Sequence, residues 1–165
     1  MTLAEAAAQA DSLAEAGDER ALSTLRAEWS DEIESAVRAA DYRERAVGYR
    51  AIGHFRFRQK IELLRRGLED ESPSVRGSAL VSIELLSRDS RGVVNSVRSI
   101  LHELATSDDN QAVRRLAIVC LRNGSPHRET IVILNGIAED DRLDRNLREI
   151  AAKVAAALRK TAGAR

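Results

Sequence analysis

The sequence is poor in the residues that build most small enzymes and most β-proteins. Only 3% of its 165 residues are aromatic, and two prolines and nine glycines interrupt the chain. Cys120 is the single cysteine, so no intrachain disulfide can form and no cysteine-based zinc site is available. No run approaches the roughly 20 apolar residues of a membrane span. There is no net charge at pH 7, hence no overall field to draw in nucleic acid or an anionic membrane. Lysine is nearly absent, at Lys60, Lys153 and Lys160 against many arginines, a bias that points to a GC-rich bacterial genome. The first residues are acidic and lack a basic leader, so they do not read as a secretory signal; a reducing cytoplasmic compartment is expected.

What remains is Ala, Leu, Arg and Glu, all strong helix formers. At 44% apolar the chain is too hydrophobic for disorder, and its length suits one domain over 1–165 with a core of its own. Charge is unevenly spread. Residues 1–41 carry ten acids and three bases, whereas 42–66 carry two acids and eight bases. That asymmetry is either internal complementarity or a polarised surface.

Helix punctuation recurs along the chain. Thr2 with Glu5 forms a capping box, and Gly17 supplies a stop. Asp18 caps a helix running toward Trp29, where Ser30 either opens a third helix or marks a kink. Asp41 and Glu44 open a helix that ends near Gly53. Ile61, Leu64 and Leu68 lie on one stripe, and Ser72–Pro73 starts a helix bearing Val75, Ala79, Ile83 and Leu86. Further helices are expected from Gly92 to about Thr106, from Asp108–Asn110 to Gly124, and from Ser125–Pro126 onward. The helix from Ser125–Pro126 bears Ile131, Leu134 and Ile137, and a separate final helix carries Leu143, Leu147, Ile150, Ala151, Val154 and Leu158. No segment alternates as a strand does.

An internal repeat organises these helices. Tyr42-Arg43-x-x-Ala46, Val75-Arg76-x-x-Ala79, Val113-Arg114-x-x-Ala117 and Leu147-Arg148-x-x-Ala151 share one pattern, their arginines 33, 38 and 34 residues apart. A second apolar helix lies between successive copies, so one unit is a helical hairpin of about 35 residues. A lone hairpin leaves apolar stripes bare, and stacking neighbours buries them in one seam. The alanine lets backbones approach, and the apolar residue four positions earlier fills the space between units.

The segment Asp70-Glu71-Ser72-Pro73-Ser74-Val75-Arg76-Gly77-Ser78-Ala79 resembles the turn within HEAT repeats of the short bacterial type. The likeness extends over roughly residues 40–160. It implies an all-α, right-handed α-solenoid of about four units, with 1–40 as capping helices and 41–161 as repeats. In that family an Asp before the helix and an Arg six residues later build a ladder between repeats. Asp70/Arg76 and Asp108/Arg114 have that spacing; Arg148 follows Asp141 by seven, and the Tyr42 unit has no Asp at the expected place.

The family's second helices usually line the concave side. Without the apolar stripes they present Arg50 and His54, Ser78 and Ser82, Arg115 and Arg122, then Glu149 and Lys153. Of these Arg50, His54, Ser82, Arg115, Arg122 and Lys153 are the candidate partner-binding residues, since a guanidinium fork grips carboxylates. The expected function is a protein-binding scaffold or regulatory module without cofactor, docking an acidic or phosphorylated segment.

The alternative is nucleic-acid binding through 42–66, where Tyr42, Tyr49, Phe55 and Phe57 interleave with Arg43, Arg45, Arg50, Arg56, Arg58 and Lys60. The competing reading seats those aromatics between repeats and pairs the arginines with the acidic N-terminal helices. HEAT-like repeats also form alkylated-DNA glycosylases, but no carboxylate framed by aromatics matches that family's manner. Trp29 is either core or a partner anchor. Cys120 reads as a buried thiol, and His54, His102 and His127 lack paired ligand spacing. No catalytic constellation or metal site is expected.

Overall fold

The computed structural model describes residues 1–164, and they form helices with no strand among them. In order these are α1 (Leu3–Ala16), α2 (Glu19–Ala36), α3 (Tyr42–His54), α4 (Ile61–Leu68), α5 (Pro73–Ser87), α6 (Arg91–Ser107), α7 (Gln111–Leu121), α8 (Arg128–Glu139) and α9 (Arg145–Gly163). A short 3-10 turn, Arg58–Lys60, leads into α4. The chain divides into two compact units, Met1–Leu86 and Ser87–Arg165.

Local chemistry sets most helix ends. The Glu5 amide donates to Thr2 Oγ1 (3.2 Å) while the Thr2 amide donates back to Glu5 (2.7 Å), a closed capping box. Gly17, at φ 74°, turns the chain out of α1 in the left-handed region that disfavours a side chain. Asp18, Asp41, Asn110 and Asp144 accept from the first-turn amides of α2, α3, α7 and α9. Pro73 occupies the first position of α5, where a missing N–H costs nothing.

Three boundaries differ from the sequence expectation. Helix α2 runs through Trp29 and Ser30 without a break, because Leu22, Leu25, Trp29 and Ile33 make one uninterrupted buried stripe. Helix α8 starts at Arg128 and not at Ser125–Pro126. Ser125 is drawn away by Asn95, which exchanges two hydrogen bonds with it (2.9 and 3.1 Å). Leu143 precedes α9 and lies outside its stripe.

In the first unit α1 packs on α2 and α3, and α3 packs on α4. The start of α1 lies beside the start of α3, while Asp11 and Glu15 near its end pair with Arg56 beyond the end of α3. Helices α1 and α3 therefore run in the same direction, and α1 takes the place of a second helix whose partner helix is α2. Its exposed face is small and polar, as a capping helix requires. The core holds Ile33, Ile52, Phe55, Leu64, Leu80 and Ile83, all fully buried. Each such side chain contributes about 1.5–3 kcal/mol relative to exposure.

In the second unit α6 pairs with α7 and α8 with α9, and α9 also packs on α7. Val94, Leu101, Ile118, Leu121, Leu134 and Leu147 fill its core. The buried Thr130 is matched there: its Oγ1 lies 2.8 Å from His102 Nε2 and accepts from Arg98 at 3.0 Å.

Candidate partner-binding face

The repeated arginine shows how one helix is fixed to its surroundings. Arg76 donates to the Asp70 and Glu71 carbonyls (2.9 and 3.1 Å), Arg114 to the Ala105 carbonyl (3.0 Å), and Arg148 to the Leu143 carbonyl (3.1 Å). Each tethers the start of its helix to the preceding turn or helix end. The apolar and small residues of those copies, Val75/Ala79, Val113/Ala117 and Leu147/Ala151, are buried.

The first copy departs from the expected register by two residues. Tyr42 is 43% exposed, Arg43 stacks over it at 5.5 Å, and Ala46 is only half-buried. Arg45 and Gly48 take the structural positions instead. Arg45 donates to the Ala39 and Ala40 carbonyls (3.1 and 2.8 Å) and grips the Asp70 carboxylate through two bonds of 2.9 and 3.1 Å. Gly48 touches Ala36 and Val37, so closely that a Cβ would stand 2.9 Å from the Val37 amide nitrogen. Burial pushes the Asp70 carboxyl up, but Arg45 and the Ser72 amide outweigh it and hold it below the usual range. Asp108 accepts from the Asn110 amide (2.8 Å). Near α9 the turn carboxylate is Asp140 and not Asp141; Arg142, and more weakly Arg114, lower its pKa.

The candidate binding residues separate into three situations. Arg50 is exposed and His54 half-buried one turn further along α3. Burial lowers the His54 pKa, Arg50 and Arg56 add to that, and Asp11 opposes it. Ser82 is not on an exposed face. It is fully buried, its hydroxyl donating to the Tyr49 carbonyl and accepting from the Gly53 amide (2.9 Å), which joins α5 to α3. Ser78 is buried as well. Neither serine is accessible to a partner.

Arg115 lies on α7, Arg122 immediately after its end, and Lys153 on the adjacent α9 of the second unit. Ala112, Arg115, Val119 and Arg122 follow at helical spacing along the side of α7 opposite its buried Val113, Ala117 and Cys120. On α9 the equivalent side carries Glu149 and Lys153, and Glu149 is neutralised by Arg145 at 2.9 Å. Among the described residues Arg115, Arg122 and Lys153 form no ion pair. The Nε of Arg115 is buried without a hydrogen-bond partner.

The basic-aromatic segment is arranged differently. Tyr49, Phe55 and Phe57 are buried, the two phenyl rings stacked with centroids 5.8 Å apart. Arg56, at φ 54°, pairs with Asp11 and Glu15 of α1 (2.9 and 3.1 Å). Lys60 is 8% exposed, 2.8 Å from Glu34 of α2 and 4.9 Å above the Phe57 ring. The acids of the first two helices thus meet the bases of the next stretch, and three of the four aromatics offer no face to a base.

Trp29 and Cys120 lie in the core. Among the described residues no group of three or more His, Cys, Asp or Glu side chains is placed to hold a metal ion. No helix among them is long and apolar enough to cross a membrane.

The tethering arginine was legible only as a type. Arg45-x-x-Gly48 keeps the arginine and a small residue, with glycine for alanine, but Glu44 stands where the other copies have an apolar residue, and those two departures hid the register. No curated protein matches the chain. A family model described as HEAT repeats matches residues 30–122, more than half of the sequence. HEAT repeats commonly serve as protein-interaction scaffolds. With hairpin stacking and the recurring tether in place, the chain belongs to the HEAT-repeat family of α-solenoids.

Proposed function

We propose that this chain is a protein-interaction module whose second unit receives an acidic segment of a partner across α7 and α9. One observation carries the reading: Arg115, Arg122 and Lys153 lie on or at the end of two adjacent helices and, among the described residues, pair with no carboxylate. Unpaired arginine at such a place holds donors in reserve for a carboxylate or phosphate, which takes two parallel hydrogen bonds from one guanidinium. Val119 stands between the two arginines and supplies apolar contact beside the charges. The face asks for no chemistry beyond recognition.

The test is affinity capture of partners by the purified chain, followed by mass spectrometry and by titration of each captured partner. Arg115→Glu with Arg122→Glu should abolish capture of the specific partner while the far-UV circular dichroism stays unchanged. Capture that is indifferent to this double reversal overturns the reading.

A further inference from the structure

Charge in the second unit is sorted by layer. Helices α6 and α8 balance, with Arg91, Arg98 and Arg128 against Glu103, Glu129 and Glu139. The other layer has two bases on α7 and five on α9, against the single acid Glu149. Glu149 is engaged by Arg145 at 2.9 Å. The carboxylates of the preceding turns, Asp108 and Asp109 before α7 and Asp140, Asp141 and Asp144 before α9, lie at N-terminal ends, where the helix dipole favours them.

The repeat fixes how α7 and α9 line up. Val113 and Ala117 are equivalent to Leu147 and Ala151, 34 residues on, and all four are buried. Arg115 is then level with Glu149, and Val119 with Lys153. Arg122 keeps a helical backbone at φ −58°, ψ −33°, so it continues the spacing of α7. Lys160 follows Lys153 by seven residues as Arg122 follows Arg115, and seven residues return to the same side of a helix. At a rise of about 1.5 Å per residue, Lys153, Arg122 and Lys160 stand about 6, 10.5 and 16.5 Å along the axis beyond Arg115. The four cations alternate between the two helices in a staggered row. Among the described residues none of the four forms an ion pair. Between them the surface offers Val119, Ala152 and Ala156, with no uncharged polar side chain.

We propose that this row receives one acidic α-helix of the partner, an inference that rests on the reading of α7 and α9 as a docking face. Acids at i, i+4, i+7 and i+11 of a helix share one side and rise by the same steps of about 6, 10.5 and 16.5 Å. Each therefore meets one cation, whichever way the helix runs. An extended segment would bring bare amides and carbonyls to a surface with no neutral side chain to bond them, whereas a helix bonds its own. Ala152 and Ala156 leave room for its backbone, and Val119 gives it apolar contact. Like charges four residues apart weaken the free helix, so docking on the cations is what orders it.

Three labelled peptides of about 16 residues test this on the full chain, by fluorescence anisotropy at physiological salt. The matched peptide has glutamates at i, i+4, i+7 and i+11 in an alanine and glutamine host. The second has the same composition with the glutamates spread around the helix, and the third is the matched peptide with a central proline. The matched peptide should bind roughly tenfold or more tighter than either control and gain helical far-ultraviolet dichroism on binding. Lys153→Glu with Lys160→Glu should weaken it by a similar factor, as should Arg115→Glu with Arg122→Glu, while the dichroism of the free chain is unchanged. Equal binding of either control overturns the helical match and leaves the docking face itself standing. So does partner capture that Arg115→Glu with Arg122→Glu abolishes and Lys153→Glu with Lys160→Glu leaves intact. Binding by none of the three peptides also overturns the helical match, and the docking face is then decided by capture alone. A single-stranded oligonucleotide that displaces the matched peptide makes the face a nucleic-acid site and overturns both.

Discussion

Ser82 lies so close to Gly53 that a Cβ on the glycine would stand 2.6 Å from the Ser82 Cα. Backbone meets backbone there, with one hydroxyl serving both the Tyr49 carbonyl and the Gly53 amide. Gly53→Ala is expected to destabilise the protein by about 2–3 kcal/mol, because neither helix can yield without losing that bridge. Gly136 is the opposite case, with nothing within 4 Å of its would-be Cβ. Gly136→Ala should stabilise by about 0.5–1 kcal/mol through helix propensity. Denaturant unfolding of the two variants checks both signs.

The Arg45–Asp70 pair makes stability depend on acid. The Asp70 carboxyl is held below its usual range in the folded state, so its contribution is fully present above the unfolded value and is lost as pH falls through the folded one. Asp70→Asn should cost about 1 kcal/mol at neutral pH. The gap between variant and wild type should begin to narrow as pH falls below about 4 and vanish once the folded Asp70 carboxyl is itself protonated. Thermal melts at a series of pH values measure the gap; a difference that stays constant down to pH 2 contradicts this assignment.

For nucleic acid the arrangement of 42–66 predicts little. Arg45, Arg56 and Lys60 are held by carboxylates, and Tyr49, Phe55 and Phe57 are buried. A labelled single-stranded oligonucleotide should show no saturable binding at physiological salt. Steeply salt-dependent, saturable binding would restore the nucleic-acid reading.

Cys120 is fully buried on α7. A thiol reagent should modify the native protein only at the rate at which the second unit opens, and fully once denaturant is added. Immediate stoichiometric labelling would show that this part of the core is not closed.

How far the sequence could be read followed the range of the forces involved. The Thr2–Glu5 box, the Asp18 cap and Pro73 at the start of α5 act within one turn, and each was visible in its own few residues. The register of the first repeat was not, because Tyr42 before Arg43 fits the local pattern better than Glu44 before Arg45, and only the contact of Arg45 with Asp70, 25 residues on, decides for Arg45. Serine at position 82 reads as exposed until its neighbour is known to be a glycine amide 29 residues earlier. On the candidate face, helical spacing alone put Arg115 and Arg122, the latter just past the end of α7, on one side. That Lys153 stands on the next helix follows from the packing of α9 on α7, which depends on the repeat.

Trp29, Tyr42, Tyr49, Phe55 and Phe57 are the only aromatic residues, and all belong to the first of the two units. Intrinsic fluorescence and near-ultraviolet dichroism therefore report on that unit alone, and the second is optically silent in both. Far-ultraviolet dichroism sees the helices of both. A superposition of the two melting curves means that the halves unfold as one cooperative body, and a split means that each half melts by itself.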